Sequence, residues 1–238
     1  MSVSISKLPV IILAGGRSTR MGTPKGLLEF EGLPWVVSQI RSLGGCGFAK
    51  IIVVLGFGAE NYFSREPVLK KAINEWVRFD EGLAIKTLVN QNPELGQFSS
   101  LVTGFREVLS STEERIGAFV LPVDVPCPMI KVWRQLYSEM DGNRQVKTCI
   151  PQYSNCCGHP VLLSSSFLRE LSILPLDSSE ARLDLQIGLL SKEERKNVTV
   201  NDPLVCFNIN TPKDWEIFVE KYLCSKDARK ALLIEESK

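Results

Sequence analysis

Val10-Ile11-Ile12-Leu13-Ala14-Gly15-Gly16-Arg17-Ser18-Thr19-Arg20-Met21-Gly22-Thr23-Pro24-Lys25 is the stretch on which the fold turns. Its apolar run, Val10 to Ala14, is continuous rather than alternating, as a parallel strand buried on both faces reads. The strand feeds directly into a glycine-rich loop carrying Arg17, Arg20 and Lys25. Glycine lets the backbone approach a ligand without a Cβ in the way, and successive N–H groups in such a turn form a concave anion site. Arginine forks match phosphate oxygens two at a time, while lysine adds a point charge. A polyphosphate is the simplest ligand for this set.

Two familiar phosphate loops are excluded. The Gly-x4-Gly-Lys-[Ser/Thr] spacing is absent, and Gly15-Gly16 is not followed by the third glycine of a dinucleotide fingerprint. Leu13-Ala14-Gly15-Gly16, Ser18, Arg20-Met21-Gly22 and Lys25 instead resemble the opening motif of the nucleotidyltransferases that include molybdenum-cofactor cytidylyl- and guanylyltransferases. That resemblance implies a nucleotide-diphospho-sugar transferase type of sheet. It also implies an NTP held by Leu13, Ala14, Gly15, Gly16, Arg17, Ser18, Arg20, Met21, Gly22 and Lys25.

The pattern downstream agrees with an α/β class. Pro34 stands where a helix starts, Trp35, Val36, Ile40 and Leu43 share its face, and Gly44-Gly45 ends it. Buried strands are expected at Ile51 to Leu55, Ile85 to Val89 and Ala118 to Val123. A helical stretch from about Ala59 to Phe79 is interrupted near Pro67, and a helix is expected at Ser99 to Leu109. Alternating strands and helices imply βαβ units with right-handed crossovers, hence a mainly parallel, Rossmann-like sheet in a three-layer α/β/α domain. Ligands bind such sheets at the strands' carboxyl ends. The loops after Ala14, Leu55, Val89 and Val123 are therefore expected along one cleft.

The second half is less regular. Strands are expected at Val146 to Ile150, Val161 to Leu163, Val198 to Val200 and Val205 to Ile209, and helices at Phe167 to Leu174 and Ala181 to Leu190. Thr211-Pro212 opens a further helix to about Leu223. One domain, residues 1–223, with a charged tail, 224–238, is the expected organisation.

Composition narrows the class. The 238 residues carry a net charge of +1 with 44% hydrophobic and 23% charged residues, those of an ordinary globular protein. A general polyanion surface is not expected, nor a nucleic-acid partner, so phosphate binding must come from local clustering. No secretory signal or membrane-length apolar window is present. With seven cysteines, none in Cys-x-x-Cys, and one histidine, the expectation is a cytoplasmic protein with reduced thiols. Whether it is a monomer or a homo-oligomer is not legible.

Asp124 follows an expected strand in Leu121-Pro122-Val123-Asp124-Val125-Pro126. A carboxylate there suits Mg²⁺, which takes oxygen ligands and substrate phosphates, and also suits a helix cap. The resemblance favours the metal, since family members carry Asp-x-Pro after this strand. Near the end, Asn208-Ile209-Asn210-Thr211-Pro212 is similar to the guanylyl branch rather than to the Asp-x-Asp-Thr-Pro of cytidylyl relatives. It implies Asn208 as second metal ligand, with Asn210 serving the turn. Asn90, Ser99 and Ser100 flank a loop that opens a helix, and Gly96 to Leu101 resembles a cytidylyl-type nucleotide segment. Gly158-His159-Pro160-Val161 resembles the acceptor side of the same branch, so Gly158 and His159 are expected to position the acceptor. Cys156-Cys157 beside them read as packing residues.

Together these imply Mg²⁺-dependent transfer of NMP from CTP or GTP to a phosphorylated small-molecule acceptor, with Lys25, Arg17 and Asp124 as catalytic residues. Molybdopterin is the foremost acceptor. The segment expected to hold it keeps only Ala181-Arg182 of the family pattern, which leaves a sugar- or alcohol-phosphate open. A non-catalytic nucleotide-binding regulator is the reading from another class, and a NAD-linked oxidoreductase is disfavoured by the missing glycine.

Overall fold

Parallel strands need long crossovers, and the chain supplies helices for them. The architecture is that of a computed structural model describing residues 5–111 and 116–221. Strand β1 (Val10–Ala14) leads through a two-stranded hairpin, β2 (Glu29–Phe30) and β3 (Leu33–Pro34), into helix α1 (Trp35–Gly45) and strand β4 (Lys50–Leu55). Helices α2 (Ala59–Arg65) and α3 (Pro67–Lys71) precede strands β5 (Val77–Asp80) and β6 (Leu83–Val89). Helix α4 (Gln97–Ser110), strand β7 (Gly117–Pro122) and helix α5 (Ile130–Asp141) follow. The remainder comprises β8 (Thr148–Tyr153), β9 (Cys156–Cys157), β10 (Val161–Ser164), α6 (Ser165–Ser172), α7 (Leu183–Gly188) and β11 (Arg195–Thr199). Residues 212–221 are helical. The expected tail, 224–238, lies outside the described residues.

Nine strands form one sheet in the order β11-β8-β10-β7-β1-β4-β6-β5, with β9 paired to β8. The run β7-β1-β4-β6 is parallel throughout, while β10, β5 and β9 pair antiparallel with their neighbours. The chain winds from β1 outward to β6 and then returns to β7 on the other side of β1. That reversal is where open α/β sheets bind ligands. Register aligns the strand ends: Ala14 lies beside Leu55, Leu55 beside Val89, and Leu13 beside Pro122.

Period-2 alternation sends successive β1 side chains to opposite faces. Val10, Ile12 and Ala14 join one core with α1, α2, α3 and α5. Ile11 and Leu13 join the other with α4, α6 and α7. Both sheet faces are thus covered, which is why β1 reads as an unbroken apolar run. This is the three-layer, mostly parallel architecture expected.

Three local expectations differ. Residues 77–80 are a strand rather than the end of a helix, because Val77 and Phe79 alternate with Arg78 and Asp80 along the edge of β6. No strand forms at Val205 to Ile209: Pro203–Cys206 is a 3₁₀ turn, capped by Asp202, which accepts from the Leu204 N–H at 3.0 Å, and residues 207–209 are irregular. Helix α5 and the β2–β3 hairpin have no counterpart among the expected elements. The α5 stripe is plain, with Val132, Trp133, Leu136 and Met140 all buried. No helix among the described residues is long and apolar enough to cross a membrane.

Candidate active site

Gly15 begins the loop at the end of β1 where two backbones nearly touch. A Cβ on Gly56 would lie 2.8 Å from the Gly15 carbonyl oxygen and 3.2 Å from Pro93 Cβ. The Phe57 N–H donates to that Gly15 carbonyl at 3.2 Å, so the loops after β1 and β4 are clasped together. Ser18 holds φ at +50°, and its hydroxyl accepts from the Lys25 N–H at 3.1 Å. Its carbonyl accepts from the Met21 N–H at 2.9 Å, and Gly22 turns the chain at φ +69°. The loop is therefore a shaped ring closing on Lys25. Gly16 faces open space, Arg17 and Arg20 are exposed, and the Arg17 guanidinium lies 4.1 Å over the Phe57 ring.

Lys25 turns inward. Its Nζ donates to Asp124 Oδ2 at 2.7 Å and to Asn210 Oδ1 at 2.8 Å. Only 15% of the Lys25 side chain is exposed, against 26% of Asp124, so the pair is shielded but reachable. The Asp124 loop is anchored on every side. Val123 N–H donates to Leu13 at 2.9 Å, and Ile209 N–H donates to the Asp124 carbonyl at 2.8 Å. From α1, Trp35 Nε1 donates to the Val123 carbonyl at 2.7 Å. Gln39, almost fully buried, donates to the Val125 carbonyl at 2.6 Å and accepts from the Cys127 N–H at 2.8 Å. Trp35 is fixed in turn by edge-on contacts with Trp215 and Phe218, at 5.3 and 5.1 Å between ring centres.

A cleft of about 460 Å³ runs over this ground. All four expected loops line it: 13–21 after β1, Phe57 after β4, 93–97 after β6, and 122–124 after β7. Ser100 reaches it from α4. Asn90 and Ser99 do not. Asn90 is buried, donating to Ser99 Oγ at 2.7 Å and Ser100 Oγ at 3.0 Å and accepting from the Asn92 N–H at 3.0 Å. Ser99 Oγ donates to the Asn92 and Gly96 carbonyls, at 3.0 and 2.7 Å. These two residues brace the 90–99 loop from inside.

Gly158, His159 and Asn208 line a second cavity, of about 760 Å³. It shares Leu13, Gly96, Gln97 and Pro122 with the first, so the two open onto each other beside β1. A Cβ on Gly158 would be driven into the Val205 carbonyl, and the His159 N–H donates to that carbonyl at 2.8 Å. The His159 Nδ1 atom is buried with no hydrogen-bond partner. Burial holds its pKa below the ordinary histidine value, against the opposing pull of the Asp124 charge. Asn208 is exposed, and the amide meeting the Lys25–Asp124 pair is that of Asn210. The Asn210 backbone does serve the turn: its N–H donates to Asp214 Oδ2 at 3.0 Å.

Gln97 falls in the expected Gly96 to Leu101 segment, whereas sequence reasoning did not single out Phe57, Tyr62 or Glu94 in the cleft lining. Phe57 and Glu94 carried a signal, since both follow a parallel strand's carboxyl end. Tyr62 carried none. From α2 its hydroxyl is buried against Gly26, and desolvation pushes its pKa far above the usual range.

Asp124 and Asn210 present carboxylate and amide oxygens around a cation already there, the Lys25 ammonium. That hard-oxygen set suits Mg²⁺. Among the described residues no group of three or more His, Cys, Asp or Glu side chains is placed to hold a metal. A divalent ion here would complete its shell with substrate phosphates and water.

The chain is similar to a molybdenum cofactor guanylyltransferase of Xanthomonas euvesicatoria pv. vesicatoria, 23% identical over 211 residues, covering 89% of this chain and 94% of that one. It is also similar to a probable molybdenum cofactor guanylyltransferase of Pyrococcus horikoshii, 26% identical over 164 residues, covering 69% of this chain and 71% of the relative. The fold matches the crystal structure of Rv0371c from Mycobacterium tuberculosis with a TM-score of 0.67 at 18% identity, covering 90% of this chain and 97% of that one. Residues 10–187, which include the β1 loop, Asp124 and His159 and stop short of Asn208, match the MobA-like NTP transferase domain, and the chain belongs to that family of nucleotidyltransferases.

Proposed function

We propose that this nucleotidyltransferase moves GMP from GTP onto the terminal phosphate of a molybdopterin-type acceptor and releases pyrophosphate. The observation that carries the reading is the contact of Lys25 with both Asp124 and Asn210, on the floor of a cleft to which four strand-end loops contribute. The guanylyltransferase names of the two relatives favour guanine over cytosine, as does the Asn-x-Asn-Thr-Pro string at Asn208 to Pro212. The second cavity, with apolar and polar lining mixed, supports an acceptor that carries a flat ring edged by hydrogen-bonding groups, as a pterin does. Leu95, Phe98, Leu101, Ile150, Val161 and Ile187 form its walls, with polar groups such as His159 and Arg195 among them. A small sugar phosphate would leave those walls unfilled.

In the proposed reaction an acceptor phosphate oxygen bonds to the α-phosphorus as the bond to the β-phosphate bridging oxygen breaks. A phosphate monoester is largely dianionic at neutral pH, its second pKa being about 6, so the nucleophile needs no strong base. The protein's work is positioning and charge stabilisation. Backbone N–H groups from Gly15 to Gly22 cradle the triphosphate, and Arg17 and Arg20 swing from solvent onto its oxygens. Lys25 neutralises charge on the departing pyrophosphate. Asp124 would hold Mg²⁺, with the Asn210 amide, which accepts from the same Lys25, as the second oxygen in place of Asn208, and the ion would polarise the α-phosphate. His159, kept neutral by burial, accepts or donates one hydrogen bond at the acceptor. Gly158 lets the backbone pack against Val205 so that the imidazole reaches the cavity.

Pyrophosphate release tests the proposal, using purified protein, Mg²⁺, each NTP, and either molybdopterin or a panel of sugar and alcohol phosphates. Release with GTP and molybdopterin is expected. Release only with a sugar phosphate replaces the acceptor, and tight GTP binding without release under any acceptor makes the protein a nucleotide-binding regulator.

A further inference from the structure

Glu94 has no role in the phosphate chemistry, yet it lines the nucleotide cleft. We propose that Glu94 selects the base, its carboxylate accepting from the N1–H and N2–H₂ groups of guanine. This inference rests on the GTP-dependent reading and names the residue that decides the base.

Among the described residues only two carboxylates line the cleft, Asp124 and Glu94. Asp124 is committed to Lys25 at the end of β7. Glu94 sits on the loop after β6, three inter-strand steps away in the order β7-β1-β4-β6. At about 4.8 Å per step the ends of β7 and β6 are about 14 Å apart, and the 93–97 turn reaches back from β6 across the end of β4, where Pro93 packs against Gly56. Phosphates at the β1 and β7 loops therefore direct the base toward 93–97. Glu94 is exposed and makes no hydrogen bond or ion pair with any described residue.

Its position is nonetheless fixed. Pro93 opens a 3₁₀ turn, Pro93–Leu95, and packs against Gly56. The Leu95 N–H donates to the Asn92 carbonyl at 3.1 Å, and the Gly96 N–H donates to the Pro93 carbonyl at 3.2 Å. The buried Asn90–Ser99 pair ties both ends of the loop together. The bracing fixes the backbone from which the Glu94 carboxylate extends into the cleft.

Chemistry then chooses among the bases. An ionised carboxylate only accepts hydrogen bonds. Guanine presents two adjacent donors on its Watson–Crick edge, N1–H and N2–H₂, beside the acceptor O6. Helix α4 begins at Gln97, and the first N–H groups of a helix have no partner within it. An acceptor at Glu94 next to donors at the start of α4 is the complement of guanine. Adenine and cytosine place a ring-nitrogen lone pair where guanine carries N1–H, and the carboxylate repels it. A site built around such a hydrogen bond rejects analogues that lack the donor.

The test is nucleotide affinity by calorimetry with Mg²⁺ for GTP, ITP, ATP and CTP, on the full chain and on Glu94→Ala and Glu94→Gln. ITP lacks the 2-amino group and reports one of the two bonds. The full chain is expected to bind GTP most tightly and ITP next. Glu94→Ala should weaken GTP on the order of 10- to 100-fold, from the loss of bonds to a charged group, with ATP and CTP weakened less than threefold. Glu94→Gln, keeping one acceptor, should fall between. A full chain that prefers GTP, with a Glu94→Ala variant that binds it within threefold of normal, overturns the role of Glu94 alone. A full chain that prefers CTP or ATP overturns the guanine reading, and Glu94 with it.

Discussion

Lys25, Asp124 and Asn210 come from distant parts of the sequence and meet through two hydrogen bonds of 2.7 and 2.8 Å. Lys25→Ala and Asp124→Ala are each expected to lower the pyrophosphate-release rate about 10²- to 10³-fold, the loss seen when one charge-stabilising group is removed from an active site. Circular dichroism should show the fold retained, and a rate within threefold of normal would remove the residue from the mechanism. His159 offers a pH test. Burial holds its pKa below the unfolded value of about 6.5. In acid the unfolded chain therefore binds the extra proton, so this contribution to stability is complete above pH 6.5 and declines as pH falls below it. Urea midpoints at pH 8 and pH 5.5 should differ more for the native chain than for His159→Gln. At this scale the placement of the β1 loop and Asp124 along the cleft was legible, because spacing and strand-end position declare it. The second amide was not, since Asn208 and Asn210 stand two apart in one short string that does not say which way either side chain turns. Only tertiary approach decides which of them meets Lys25. Asn90 and Ser99 likewise looked like ligand contacts because polarity near a strand end does not reveal which way the side chain turns.

Helix α1 is the element that holds the Asp124 loop still. Trp35 and Gln39, one turn apart, bond to Val123 and Val125 on either side of Asp124. Replacing Gln39 by leucine keeps the bulk but strands the Val125 carbonyl and the Cys127 N–H. Each stranded group costs about 1–3 kcal/mol. Gln39→Leu should therefore lower the urea midpoint. It should also depress kcat more than it raises KM for GTP, because the displaced loop carries Asp124 while the β1 loop is untouched. An unchanged kcat in a destabilised variant would confine Gln39 to stability. The elements themselves were legible wherever one period dominated: β1, β4 and β7 as unbroken apolar runs, α1 and α4 as helical stripes. The edge strand β5 was not, because Val77 to Asp80 is too short a window to separate period 2 from the helical run before it. The Pro203–Cys206 turn was hidden because its apolar residues imitate a strand, while the Asp202 cap that bends them lies one residue upstream.

For the molecule as a whole, a net charge of +1 means that anion binding must come from where the cations sit rather than from how many there are. Arg17, Arg20 and Lys25 occupy one loop, at the centre of a sheet whose two faces carry separate cores. The same loop touches the clasp with β4 and the anchored Asp124 segment, so a ligand seated there ties together strands on both sides of β1. Such a ligand binds the native state and not the unfolded chain, and at a hundred times its Kd it adds about 2.7 kcal/mol to stability. For a chain of this length each kcal/mol raises Tm by about 2–4 °C. GTP with Mg²⁺ is therefore expected to raise Tm by about 5–10 °C in a thermal melt. Lys25→Ala should lose most of that shift at the same nucleotide concentration. Raising the salt should diminish it, because exposed Arg17 and Arg20 are screened while the shielded Lys25–Asp124 pair is not. A shift that survives both Lys25→Ala and high salt would locate the nucleotide away from the β1 loop, and the polyphosphate reading of Gly15 to Lys25 would fail with it.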